Sequence, residues 1–273
     1  MEYIVANPTG NITVLVTDTG YDVSDISELA PEVKAAIVRD CFDLVPECEQ
    51  VGFIAFPAKS SDGASQAYDI SLEMMGGEFC GNATISTAAY LCMINETCVG
   101  SSSEVSVNSS GVSAPVSVTV KRLGAKEFTG TLEMPVPEVS EYDGYPLINL
   151  DGISHILMPV GAEHPELDLA DDVSIGAYLK TAADKLELLA VGLILYATAE
   201  SDSSVSITPI VYVPGSNTLF HEQGCASGST AVGYYQHYIN PALTDITIRQ
   251  PGGSMIIHIG QDNLALTGSI IFK

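Results

Sequence analysis

Two short stretches limit what this chain can fold into. They are Glu78-Phe79-Cys80-Gly81-Asn82-Ala83-Thr84 and, about half a chain length later, Glu222-Gln223-Gly224-Cys225-Ala226-Ser227-Gly228-Ser229-Thr230. Each sets a cysteine among small residues, with an acid two or three positions before it, at the start of an apolar helical run. After Cys80 the run Ala83, Ile85, Ala88, Ala89, Leu91, Cys92, Met93 leaves almost no polar face, and Ala231 to Ile239 repeats the pattern. A helix that is apolar nearly all round belongs inside something. Here the flanking strands are there to enclose it, and two such motifs suggest two similar halves.

The remaining elements recur in the same order. A polar turn at Ala6-Asn7-Pro8-Thr9-Gly10-Asn11 runs into the β-branched strand Ile12–Val16. It reads either as a plain hairpin or as a loop offering amide donors. Ser24-Asp25-Ile26 reads as the cap of a surface helix through Val38, with Ile26, Leu29, Val33, Ala36 and Ile37 at helical spacing. Cys48–Phe56, a turn running into a buried strand, and the strand Ala67–Met74 lead to the first cysteine, and strands at 104–108 and 114–120 follow its helix. In the second half, strand 152–158, the surface helix Asp172–Leu186, and strands 188–196 and 207–214 lead to Cys225. The basic cluster Lys121-Arg122-Leu123-Gly124-Ala125-Lys126 marks the expected division, giving residues 1–125 and 126–261.

Composition removes several function classes. Ten Lys+Arg against 34 Asp+Glu give a net charge of −24, a surface that repels nucleic acid and anionic membranes. The opening Met1-Glu2-Tyr3-Ile4-Val5 soon meets Asn7-Pro8, which is no targeting segment, and nothing reaches the length of a membrane span. A cytoplasmic protein is expected. Six cysteines without a CxxC pair read as reduced thiols. Five scattered histidines give no zinc-ligand spacing, so no metal is expected.

A cysteine at a helix N-terminus faces unpaired backbone N–H groups and the positive end of the helix dipole, which favour thiolate and bind carboxylates. Gly81 and Gly228 allow close backbone approach. Two such helices acting on one amino acid would hold its carboxylate and set a sulfur on each face of Cα. One thiolate would take the α-proton and the other thiol would return a proton from the opposite side. No cofactor is needed, while the donors around the carboxylate stabilise the developing enediolate.

Phe79-Cys80-Gly81-Asn82-Ala83-Thr84 and Cys225-Ala226-Ser227-Gly228-Ser229 resemble the paired cysteine motifs of the diaminopimelate epimerase-like superfamily of cofactor-independent racemases and epimerases. Asn7–Val16, Cys48–Ile54, Glu78–Thr84, Pro209–Pro214 and Gln250-Pro251-Gly252-Gly253-Ser254 are similar to the histidine racemases of metallophore pathways. The resemblance implies two pseudo-symmetric α+β domains, each a barrel-like, mostly antiparallel sheet around a central helix. It places the active site in the cleft between them and returns residues 262–273 to the first domain. It implies Cys80 and Cys225 as acid and base. Asn11, Gly81, Asn82, Ala226 and Ser227 would bind substrate, and Glu49, Glu78, His155 and Glu222 would partner the substrate amine or the thiols. His155 also reads as an ordinary strand histidine, and Glu49 as a strand end.

Diaminopimelate epimerases carry a Glu-Arg pair shortly before the second cysteine. Here Leu219-Phe220-His221-Glu222-Gln223-Gly224 holds no arginine, and Arg39, Arg122 and Arg249 lie in no motif. A substrate with a distal carboxylate is disfavoured. The expectation is a pyridoxal-independent racemase of histidine or another polar amino acid, with an unusual diaminopimelate epimerase as the alternative enzyme. A non-catalytic amino-acid- or metallophore-binding relative is the alternative of another class. The resemblance also allows a homodimer.

Overall fold

A computed structural model of the chain describes residues 1–20, 29–57, 67–162, 164–165, 167–199, 204–215, 217–261 and 263–273. The chain separates into two compact units, Met1–Glu133 with Thr267–Lys273, and Met134–Leu266. Lys121–Lys126 does not separate them. Lys121 and Arg122 end one strand, the next begins at Glu127, and the Arg122 guanidinium donates to the carbonyls of Thr97, Gly124 and Ala125. The basic cluster is a hairpin tied down by its own arginine.

In the first unit the strands are β1 (Glu2–Pro8), β2 (Thr13–Asp18), β3 (Gln50–Ala55), β4 (Ile70–Met74), β5 (Ser102–Ser109), β6 (Val116–Arg122), β7 (Glu127–Met134) and the C-terminal part of β16 (Leu264–Phe272). They pair in that order, and β16 pairs back onto β1 through Ala6↔Phe272, Asn7↔Ile271 and Pro8↔Ile270, closing an eight-strand barrel. The β1–β2 turn is set by Thr9 and Gly10, both at positive φ (52° and 93°), with Asn11 N–H donating to the Pro8 carbonyl at 3.2 Å. Positive φ at both central residues is what a tight two-residue hairpin turn requires.

Two pairs in this barrel are parallel, β2–β3 and β4–β5. Parallel neighbours need a crossover, and here each crossover contains a helix. Helix α1 (Pro31–Leu44) joins β2 to β3 and buries Ile37 and Cys41 against Val14, Val16, Val51 and Phe53. It starts at Pro31 after Ala30, without a side-chain cap; the expected cap Ser24-Asp25-Ile26 lies outside the described residues. Helix α2 (Gly81–Ile94) joins β4 to β5 and buries every residue from Gly81 to Ala89. It packs on β1, β2, β4, β5 and β6, the enclosed helix of this unit.

The second unit repeats the plan with β8 (Glu138–Tyr142), β9 (Tyr145–Leu150), β10 (Ile153–Pro159), β11 (Val191–Thr198), β12 (Ser204–Val213), β13 (Thr218–His221), β14 (Asp245–Gln250) and β15 (Gly253–Ile259). The order is β8-β9-β10-β11-β12-β14-β15, with β13 paired to β12. Again two pairs are parallel, β10–β11 and β12–β14. Helix α3 (Asp172–Leu186) crosses between the first pair, capped by Asp171 Oδ1 on the Val173 N–H at 3.0 Å and ended by Glu187 at φ 57°. It lays Ile175, Tyr178, Leu179, Ala182 and Ala183 on the sheet. Helix α4 (Ala226–Ile239) crosses between the second pair and packs on β9, β10, β11, β12, β14 and β15. The fold is α+β, two similar units each wrapped around one helix. Among the described residues no helix is long and apolar enough to cross a membrane.

Candidate active site

Each cysteine is the N-cap of its unit's enclosed helix, in extended conformation: Cys80 at φ −130°, ψ 110° and Cys225 at φ −119°, ψ 108°. The sulfur does the work a Ser or Asp oxygen does at ordinary caps. Cys80 Sγ accepts from the Ala83 N–H at 3.5 Å, and Cys225 Sγ from the Gly228 N–H at 3.2 Å. Side-chain capping turns the sulfur toward the first-turn amides, where the helix field favours its anion.

In the first unit a chain of amides leads to the thiol. Asn11 Nδ2 donates to Glu49 Oε2 at 2.8 Å, and Gln50 Nε2 donates to Asn11 Oδ1 and, at 2.9 Å, to Thr13 Oγ1. Gln50 Oε1 is thereby left to accept from the Cys80 thiol at 3.1 Å. Each of these bonds runs from an amide N–H to an oxygen, so with Asn11 Nδ2 on Glu49 the Asn11 oxygen faces Gln50 and the Gln50 oxygen faces Cys80. Gln50 reaches Asn11 because β3 starts opposite Thr13 in the parallel β2–β3 register.

The loop before Cys80 is held by the β5–β6 turn. Ser110 Oγ donates to the Glu78 carbonyl at 2.8 Å and accepts from the Met74 N–H at 2.9 Å. Gly111, at φ 77°, passes so close that a Cβ there would lie 2.2 Å from the Phe79 nitrogen. Glu78 itself contributes that carbonyl, while its exposed carboxylate folds back over Gly76.

In the second unit the thiol is buried, with Cys225 4% exposed. Burial pushes its pKa well up, and the Glu222 carboxylate, hydrogen-bonded to the same thiol, pushes it further. The Ser227 hydroxyl, 3.5 Å from Sγ, and the Gly228 N–H pull it down. His155 Nε2 lies 3.0 Å from Ser227 Oγ, and the ring is fully buried, with its pKa pushed down to about 3. The imidazole is therefore neutral. Nδ1 has no partner among the described residues, and a buried unpaired N–H is rare, which assigns the proton to Nε2. Nε2–H then donates to Ser227, whose own hydroxyl proton is free to point at Cys225.

Room for the ring comes from Gly192, opposite His155 in the β10–β11 register; a Cβ there would sit 2.2 Å from Nδ1. The Cys225 loop is held as its counterpart is, by the turn after the following strand. Gly252 N–H donates to the Gln223 carbonyl at 2.8 Å, and the Cys225 N–H donates to Gln250 Oε1 at 2.6 Å.

The sequence matches the family described as the histidine racemase CntK N-terminal domain over residues 1–271. The chain belongs to the histidine racemase family. Within it, this chain is similar to a histidine racemase of Fusobacterium nucleatum, 30% identical over 99% of this chain and 94% of the relative. A histidine racemase of Staphylococcus aureus is 28% identical over 94% of this chain and 88% of its own length. Among solved structures, one described as a predicted epimerase from Pseudomonas aeruginosa has the same fold at a TM-score of 0.66, with 13% identity over 99% of this chain and 96% of that one.

Of the residues singled out in the sequence, Asn11, Glu49 and Cys80 are joined in one network and His155, Glu222, Cys225 and Ser227 in another. Gly81 and Asn82, and Ala226 with Ser227, form the first turns of α2 and α4. Gln50, Thr13, Gly111, Gly192 and Gln250 were not singled out as site residues. Gln50 and Gln250 stood inside stretches that carry the family resemblance, and their amides are the signal that composition overlooks.

Proposed function

We propose that the protein racemises histidine without a cofactor, with Cys80 and Cys225 as the two acid–base groups acting on one Cα. The observation that carries this reading is the pair of half-sites: two units of one fold, each presenting a thiol as the cap of its enclosed helix. A two-base inversion needs one proton acceptor and one donor on opposite faces of the carbon. One thiol from each unit supplies them, and the family supplies the substrate.

In one direction the Cys225 thiol passes its proton to Glu222, and the thiolate takes the α-proton. The resulting enediolate, its charge borne by the carboxylate oxygens, is held by backbone N–H groups at the helix starts. Cys80, kept as S–H by the Gln50 carbonyl, donates its proton to the other face. One C–H bond breaks, one forms, and the net proton count is unchanged. The reverse reaction starts from the Cys80 thiolate. Two thiols that must stay reduced fit a cytoplasmic protein, and D-histidine for metallophore assembly is the product the resemblance implies.

The test is exchange in heavy water. Wild-type protein with no added cofactor should replace the α-hydrogen of histidine by deuterium while converting L to D. Cys80→Ser and Cys225→Ser should each lose about 100-fold or more of racemisation, the scale of a lost acid or base. If both variants racemise at the wild-type rate, the two-thiol reading fails.

A further inference from the structure

Gln250 is the last residue of β14, on the buried side of the strand with Ile246 and Ile248, while Arg249 next to it faces outward. It is 8% exposed, and its amide lies against the start of α4 because Oε1 accepts the Cys225 N–H. That bond fixes which end of the amide is which, since a backbone N–H can only donate. The other end, Nε2, carries two N–H donors and is buried with no partner among the described residues. Gln50 in the first unit differs: its Nε2 is satisfied by Asn11 and Thr13.

Buried donors are costly to leave unmade, and this pair sits where a helix N-terminus already favours negative charge. An arginine is missing from the stretch before Cys225 as well. We infer that Gln250 is a substrate-binding residue, its Nε2 donating to the α-carboxylate of the amino acid while its Oε1 holds the Cys225 backbone. The carboxylate as ligand rests on the racemase reading; the vacant donor pair beside Cys225 does not. Gln250 thus supplies a neutral contact at the carboxylate, so the second unit binds that charge without a cation.

Calorimetric titration of wild type, Gln250→Glu and Gln250→Met with L-histidine and with histidinamide, whose carboxylate is a neutral amide, tests this. Gln250→Glu keeps an oxygen for the Cys225 N–H but replaces the donors by a negative charge that itself repels a carboxylate, so Gln250→Met, which keeps volume and removes the donors without adding charge, decides. Folding of each is checked by its melting temperature, and Gln250→Glu serves only to show that the Cys225 N–H keeps an acceptor. Expected is a loss of about 10- to 100-fold in affinity for L-histidine with little change for histidinamide. Unchanged L-histidine binding, equal losses for both ligands, or a wild type that does not prefer L-histidine would each overturn the assignment. Exchange of the α-hydrogen by the wild type is read separately. Its absence alongside the expected binding pattern sinks the racemase reading and leaves Gln250 in place.

Discussion

His155 gives the fold a pH dependence whose size follows from its surroundings. The ring is fully buried, one nitrogen bonded to Ser227 at 3.0 Å and the other without a partner among the described residues, so burial holds its pKa down at about 3. In the unfolded chain it titrates near the ordinary value of about 6.5. Above that value the ring is neutral in both states and costs nothing. Below it, the unfolded chain binds a proton that the folded chain refuses, and stability falls by about 1.4 kcal/mol per pH unit until the folded pKa is reached. The loss is about 2 kcal/mol at pH 5 and about 4 kcal/mol at pH 3, where the folded ring begins to protonate as well. Urea unfolding of wild type and His155→Leu between pH 7.5 and 5 isolates it, because the 34 carboxylates are common to both. The variant should start below wild type, having lost the Ser227 bond, and gain on it by about 2 kcal/mol as the pH drops to 5. Parallel stability curves for the two proteins would refute a buried neutral histidine.

Two further outcomes follow from the thiol loops. Gly111→Ala should destabilise the protein by about 2 kcal/mol beyond the cost of a positive φ, since its Cβ would meet the backbone of Phe79. Gly100→Ala, at φ 89° with open space around it, is the control, and equal melting-temperature losses for the two would refute the close approach. Glu222→Gln should lower the pH at which Cys225 is alkylated, followed by mass mapping of the modified peptide, because the carboxylate raises that thiol. An inflection that stays or rises would count against the contact.

What was legible in the sequence is what depends on local chemistry. Small residues after Cys80 and Cys225, followed by runs apolar on all sides, are enough to place a cap and an enclosed helix. Asp171 and the spacing of Ile175, Leu179 and Ala182 place α3 at Asp172–Leu186 as read. What was not legible depends on register. Gln50 faces Asn11 only because β2 and β3 run parallel with Thr13 opposite Gln50, and Gly192 matters only because it falls opposite His155. The basic cluster at 121–126 misled because its charge suggests a solvated linker, whereas Arg122 spends its donors on three carbonyls of its own unit. Glu78 was a candidate for its acid, yet the Cys80 loop uses its carbonyl.

The two cysteine surroundings share a scaffold and differ in chemistry. In each, a hairpin turn grips the residues before the cysteine, and the sulfur caps the helix. Cys80 donates to the Gln50 amide, which leads through Asn11 to Glu49, whereas Cys225 is hydrogen-bonded to the Glu222 carboxylate. That carboxylate pushes the Cys225 thiol up, and the L and D directions of the proposed reaction begin from different thiols. Enantiomers have equal free energy in solution, so kcat/KM must be the same in both directions whatever the protein does. The asymmetry can only move kcat and KM together, trading tighter binding of one enantiomer for slower turnover of it. On the proposed reading, Glu222→Gln should shift kcat and KM for the two enantiomers while leaving kcat/KM equal in both directions.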